Sequence, residues 1–137
     1  MRFETEEDII RERKAIERFA KTFDLKFEKL GPHDVDYRVL SLDGTIVGYV
    51  EVKGRRRTMN EAFPLPVSIR KIVKLINKYT KPIIIWACED GIFYADINKL
   101  HGTVVFGGMA PRPNSFHDEE LMVFYDKQKN LKYIRYD

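Results

Sequence analysis

The chain has 137 residues, 44% hydrophobic and 33% charged, enough for one α/β or α+β domain with a real core, too few for two, and unlike a disordered chain. No apolar run approaches the roughly 18 residues of a membrane span, the acidic start (residues 1–8) lacks an apolar signal-peptide core, and a single cysteine, Cys88, excludes an internal disulfide framework. These features imply one domain over residues 1–137 with no membrane partner. They also imply a reducing cytoplasm, that of a prokaryote, an archaeon or an infected host cell. Net charge is +3, yet residues 53–81 hold nine basic side chains against one acid, Glu61, which puts +8 on that segment and −5 on the rest. Such a field suits a polyanion such as nucleic acid, although a solvated basic face is the plainer alternative.

Residues 5–21 have helical periodicity, with Ile9, Ile16, Phe19, Ala20 and Phe23 on one stripe. Glu12 projects into that stripe, where a carboxylate is costly unless it is paired. Alternation over 24–29 predicts a first strand. Two further strands, 35–40 and 45–53, are joined at Asp43-Gly44, a strong hairpin signal. A two-residue loop there would set Asp36 opposite Glu51 and Asp34 opposite Lys53. Whatever the loop length, period-2 parity keeps Glu51 and Lys53 on one face. Residues 54–66 read as a loop. Residues 67–79 read as a helix capped by Ser68, with Ile69, Ile72, Val73 and Ile76 on one stripe and Lys71, Lys74 and Lys78 on another. The apolar run 82–88 predicts a strand covered on both faces, turning at Glu89-Asp90-Gly91 into 92–96. Residues 104–106 form a further predicted strand, followed by a loop over 107–119, and 121–125 and 131–135 are expected to pair as a terminal hairpin.

One face of the central hairpin carries Asp36, Glu51 and Lys53. Two carboxylates on neighbouring strands can share a hard divalent cation, which lowers the pKa of a bound water and offsets charge on a phosphodiester oxygen. A lysine two residues beyond the glutamate reaches the same side and can orient that water. A cross-strand ion pair on a solvated face would use the same residues. Three features weigh against it: the strand around Glu51 is otherwise apolar, the basic segment begins at Lys53, and Glu12 offers a third acid. Arg55, Arg56 and Arg57 leave this strand where a phosphate backbone could meet them. His33, His101 and His117 lack zinc-site spacing, and Cys88, Trp86, Phe93 and Tyr94 fit core positions.

The order of a helix with an inward Glu12, Asp36, a hairpin, Glu51-Val52-Lys53, a basic helix and a buried strand resembles the PD-(D/E)xK nuclease superfamily over about residues 5–96. Among its members, archaeal Holliday-junction resolvases and small phage-type nucleases have similar spacing. The resemblance implies a restriction-endonuclease-like α-β-β-β-α-β core, a central mixed sheet flanked by helices, to which the predicted terminal hairpin adds a C-terminal β-hairpin extension. It implies a metal-dependent endonuclease acting on DNA, selective for junctions or branches, in recombination, repair or phage DNA processing. Asp36, Glu51, Glu12 and the Val52 carbonyl would hold Mg²⁺ or Mn²⁺, and Lys53 would be the catalytic lysine. Arg55, Arg56, Arg57, Lys71 and Lys74 would bind backbone phosphates. Pro32 is followed by His33 and Asp34 rather than directly by an acid, so Asp34 competes with Asp36. The tail from Phe106-Gly107-Gly108 through Arg112 to Asp118 and Glu120 resembles a Gly-Gly-Arg…Arg…Asp-x-Glu pattern of the phage-type members, with Met109 departing from it. A junction resolvase would act as a homodimer to cut two strands symmetrically. The rival readings are a non-catalytic nucleic-acid-binding module and a phage assembly protein on the same scaffold.

Overall fold

The computed structural model describes residues 5–78, 80–108 and 119–137. Helix α1 (Glu6–Thr22) starts at a capping box in which the Thr5 side chain accepts from Asp8 N–H and the Asp8 carboxylate accepts from Thr5 N–H. Its buried stripe is Ala15, Ile16, Phe19 and Ala20. The expected stripe members Ile9 and Phe23 lie outside it and are exposed. Strands β1 (Lys26–Lys29), β2 (Tyr37–Leu40) and β3 (Ile46–Gly54) follow as an antiparallel meander.

The β2–β3 connection is longer than the expected two-residue loop. Ser41 N–H donates to the Thr45 carbonyl and Gly44 N–H to the Ser41 carbonyl, with Gly44 at φ +92. The register then shifts between Val39 and Leu40. This irregularity cancels the extra loop residue, so Tyr37 still stands opposite Val50. The hairpin therefore keeps the predicted register as far as Tyr37 and Val50, where its ladder ends before Asp36 and Glu51.

Strand β4 (Leu65–Ser68) occupies a segment expected to be loop and helix start. Helix α2 (Ile69–Ile76) is correspondingly shorter than the expected 67–79, although Ser68 caps it as expected, accepting from Lys71 N–H. Strand β5 (Lys81–Ala87) returns parallel to β3, and β6 (Gly91–Asp96) pairs antiparallel with β5. Strands β7 (Thr103–Gly108), β8 (Glu119–Tyr125) and β9 (Lys132–Arg135) complete the described chain.

The main sheet is mixed and six-stranded, in the order β1-β2-β3-β5-β6-β9, and a second sheet runs β4-β8-β7. The expected hairpin between 121–125 and 131–135 does not form. Strand β9 closes the edge of the main sheet against β6, while β8 pairs with both β4 and β7. The C-terminal hairpin is thus β7–β8. With β4 set apart in the second sheet, the main sheet and its helices keep the α-β-β-β-α-β order, consistent with a restriction-endonuclease-like fold.

Two apolar cores lie on opposite faces of the main sheet. One joins α1 to Tyr37, Val39, Val50, Ile83 and Ile85. The other joins β4, α2 and β8 to Ile84, Trp86, Phe93 and Ala95. Strand β5 is buried from Pro82 to Ala87 because it contributes to both, which accounts for its unbroken apolar sequence. Among the described residues no helix is long and apolar enough to cross a membrane.

Candidate active site

Strand β3 outlasts its neighbour β2. The last β2–β3 pair is Tyr37 with Val50, so residues 51–54 run on with β5 alone beside them. Val50 packs into the α1 core, and alternation turns Glu51 and Lys53 to the other face, toward α2 and β4. At the open edge, Val52 N–H donates to Asp36 Oδ2 at 2.8 Å. The side chain just before β2 thereby takes the place of the missing ladder partner. Because N–H and C=O of a strand residue point to the same edge, the Val52 carbonyl also faces this gap.

Glu51 is only 3% exposed, and its Oε1 has no hydrogen-bond partner. Lys71 of α2 stands beside it, with Nζ 3.7 Å from Oε2. Burial, seconded by repulsion from Asp36, pushes the Glu51 carboxyl up to about 8, against the pull of Lys71 and Lys74. Two acids crowded together, one of them buried with an idle oxygen, form an incompletely compensated centre. Asp34, the competing acid, lies elsewhere: its Oδ1 sits 2.6 Å from Lys78 Nζ and accepts from Val35 N–H, and Lys78 holds its carboxyl below the ordinary range.

A cleft of about 460 Å³ opens over Glu51. Glu51, Val52, Lys53 and Gly54 form its floor, Asp8, Arg11 and Glu12 one wall, and Ser68, Arg70, Lys71, Glu120 and Met122 the other, with Arg56 at the β3 exit. Asp8 binds two guanidinium groups across this space, Arg11 at 3.0 Å and Arg56 at 2.7 Å. These pairs hold its carboxyl well below the usual carboxylate range, with Arg56 the largest cause.

The structure sorts the expected residues. Asp36 and Glu51 are brought together, and Glu51 and Lys53 line the cleft, while Asp36 stands beside it at the open edge of β3. Glu12 lines that cleft, but its Oε2 is taken by Lys29 Nζ at 2.9 Å and by the Tyr37 hydroxyl at 2.8 Å. Among the described residues, no group of three or more His, Cys, Asp or Glu side chains is gathered closely enough to hold a metal. The reason is geometric: α1 packs on the face opposite Glu51, so Glu12 approaches only past the ends of the strands. Lys71 and Arg56 line the cleft. Lys74 acts on Glu51 only through its charge.

Arg55 turns away from the cleft. Its Nε donates to the Ala62 carbonyl and its Nη2 to the Pro64 carbonyl, so it braces the loop after β3. Arg57 is exposed on the same loop, and its carbonyl accepts from Glu89 N–H. No motif or spacing points to Asp8, Arg11, Ser68, Arg70 or Met122 at this site. Glu120 belongs to the tail pattern, whose segment 109–118 lies outside the described residues.

The donor set suits a hard cation. Asp36 and Glu51 supply oxygen ligands, the Glu51 Oε1 is buried without a partner, and the Val52 carbonyl faces the same edge. No curated protein and no solved structure matches the chain. One family model does match, over residues 1–131, and its description is "Phage putative PDDEXK endonuclease". With the mixed sheet and the Asp36…Glu51-Val52-Lys53 arrangement already in view, that match over nearly the whole length places the chain in this PDDEXK endonuclease family.

Proposed function

We propose that this chain is a metal-dependent endonuclease that hydrolyses DNA phosphodiester bonds at the end of β3. The carrying observation is the buried Glu51, crowded by Asp36 and with one oxygen unpartnered, at the floor of a cleft that Lys53, Arg56 and Lys71 also line. Asp36, Glu51 and the Val52 carbonyl would hold Mg²⁺ or Mn²⁺. When bound, the cation supplies a water of lowered pKa and offsets charge on the phosphodiester. Lys53, on the Glu51 face of β3, orients the attacking water and balances developing negative charge. Arg56 and Lys71 engage backbone phosphates beside the scissile one, with little sequence preference. Glu12 supports the site from the α1 side through Lys29 and Tyr37.

The test is cleavage of junction, flap, single-stranded and duplex DNA with Mg²⁺ or Mn²⁺, and with EDTA as control. The expected result is metal-dependent cleavage, with Asp36→Asn, Glu51→Gln and Lys53→Ala each slower by roughly 10²–10⁴-fold while the fold is retained. Robust cleavage by any of these folded variants would overturn the assignment. DNA binding without cleavage by the wild type would favour the binding module instead.

A further inference from the structure

Lys29, the last residue of β1, sits between two of the site's acids. Its Nζ lies 2.9 Å from Glu12 Oε2 and 3.8 Å from Asp36 Oδ1, and 4.6 Å from the centroid of the Tyr37 ring. The Tyr37 hydroxyl donates to the same Glu12 oxygen and fixes it in place. The ammonium is therefore held by carboxylates from two different elements and by the face of an aromatic ring. Its own side chain is 49% exposed, but those of Glu12 and Asp36 are only 14% and 20% exposed. Without Lys29, two largely buried acids would be left facing each other uncompensated.

Asp36 thus looks in two directions. Toward Glu51 it meets a buried carboxylate with an idle oxygen. Toward Glu12 it meets an ammonium supplied by the chain itself. Oxygen donors on two sides are what a hard divalent cation requires, and a lysine ammonium sets a single positive charge between them without needing that coordination.

We propose that the Lys29 ammonium fills the cation position between Glu12 and Asp36 from within the chain, so that the site takes a single divalent ion, on the Asp36–Glu51 side. This rests on the proposed function above and sharpens it. The role of Glu12 becomes that of counter-ion to Lys29, and the number of cations is set by a residue on β1.

The experiment counts Mn²⁺ bound per chain at neutral pH, from loss of the free-ion electron paramagnetic resonance signal, with circular dichroism to confirm folding. Wild type and Lys29→Arg are expected to bind one ion. Lys29→Met is expected to bind two, and adding Glu12→Gln to it should restore one. Lys29→Gln serves the same purpose if Lys29→Met does not fold. Two ions on the wild type, or one on the folded Lys29 variants, would overturn the inference. Failure of the underlying reading looks different: Mn²⁺ binding that survives the combined Asp36→Asn and Glu51→Gln change would show that the ion sits elsewhere.

Discussion

Replacing Glu51 by Gln keeps the side-chain shape and removes the one carboxyl among the described residues that is buried in the core. In the folded chain burial and Asp36 push this carboxyl up to about 8, whereas its ordinary value is 4.5. The folded state therefore binds a proton that the unfolded state has released over the interval between those values. Stability then falls as pH rises through that window, because stability rises with pH only where the unfolded state holds more protons. At 1.36 kcal/mol per pKa unit, the full interval corresponds to roughly 4–5 kcal/mol, present below about pH 4.5 and lost by about pH 8. The assay is urea unfolding followed by circular dichroism at several pH values between 4.5 and 9, in EDTA, on wild type and Glu51→Gln. The wild-type curve should decline across this range relative to the variant, and the variant should be the more stable of the two at pH 8–9. Added Mn²⁺ should reverse the order there, because it stabilises only the chain that keeps the carboxylate. Parallel stability–pH curves for the two proteins would refute the reasoning, since they would mean that Glu51 titrates alike folded and unfolded.

The competing acids separate by the same logic. Asp34→Asn breaks the pair with Lys78 but should leave Mn²⁺ affinity intact, whereas Asp36→Asn should lose it; the reverse result would exchange their roles. Arg56→Ala and Lys71→Ala should each lower the slope of log affinity for DNA against log salt by about 0.9, as measured by fluorescence anisotropy in EDTA. Arg55→Ala should leave that slope unchanged and instead lose about 1–2 kcal/mol of stability, because its guanidinium is committed to the carbonyls of Ala62 and Pro64. Gly91→Ala should destabilise by about 2–3 kcal/mol in thermal unfolding. A Cβ there would stand 2.4 Å from the Ile134 carbonyl oxygen and 2.5 Å from the Met59 sulfur, which forces β9 outward.

Where the sequence was legible, the reason was local. The α1 periodicity, the β2–β3 hairpin and the doubly covered β5 all follow from neighbouring residues, and parity alone put Glu51 and Lys53 on one face. The loop at Asp43-Gly44 is longer than the two residues its sequence predicts, yet the register at Tyr37 and Val50 is kept because the irregularity at Val39 and Leu40 absorbs the difference. What was not legible depends on distant partners. Leu65-Pro66 reads as the end of a loop, since Pro66 cannot donate to a ladder, and Val67-Ser68 as the start of a helix; the four become a strand only because β8 pairs with them. The sequence neighbours β8 and β9 part company for the same reason, each finding a partner earlier in the chain. Arg55 resembles Arg56 and Arg57 in sequence, and only the folded loop shows its Nε and Nη2 bound to the carbonyls of Ala62 and Pro64.

Trp86 is the single tryptophan of the chain, fully buried on β5 directly beside Lys53 of β3, and its indole N–H donates to the Pro66 carbonyl of β4 at 2.8 Å. That bond ties the main sheet to the second one immediately behind the site, and the ring also meets Tyr125 of β8 edge-on. The protein thus carries its one indole fluorophore at the seam between its two sheets. Its emission reports whether β4 and β8 remain docked behind Glu51, without any label and apart from the helical signal of α1.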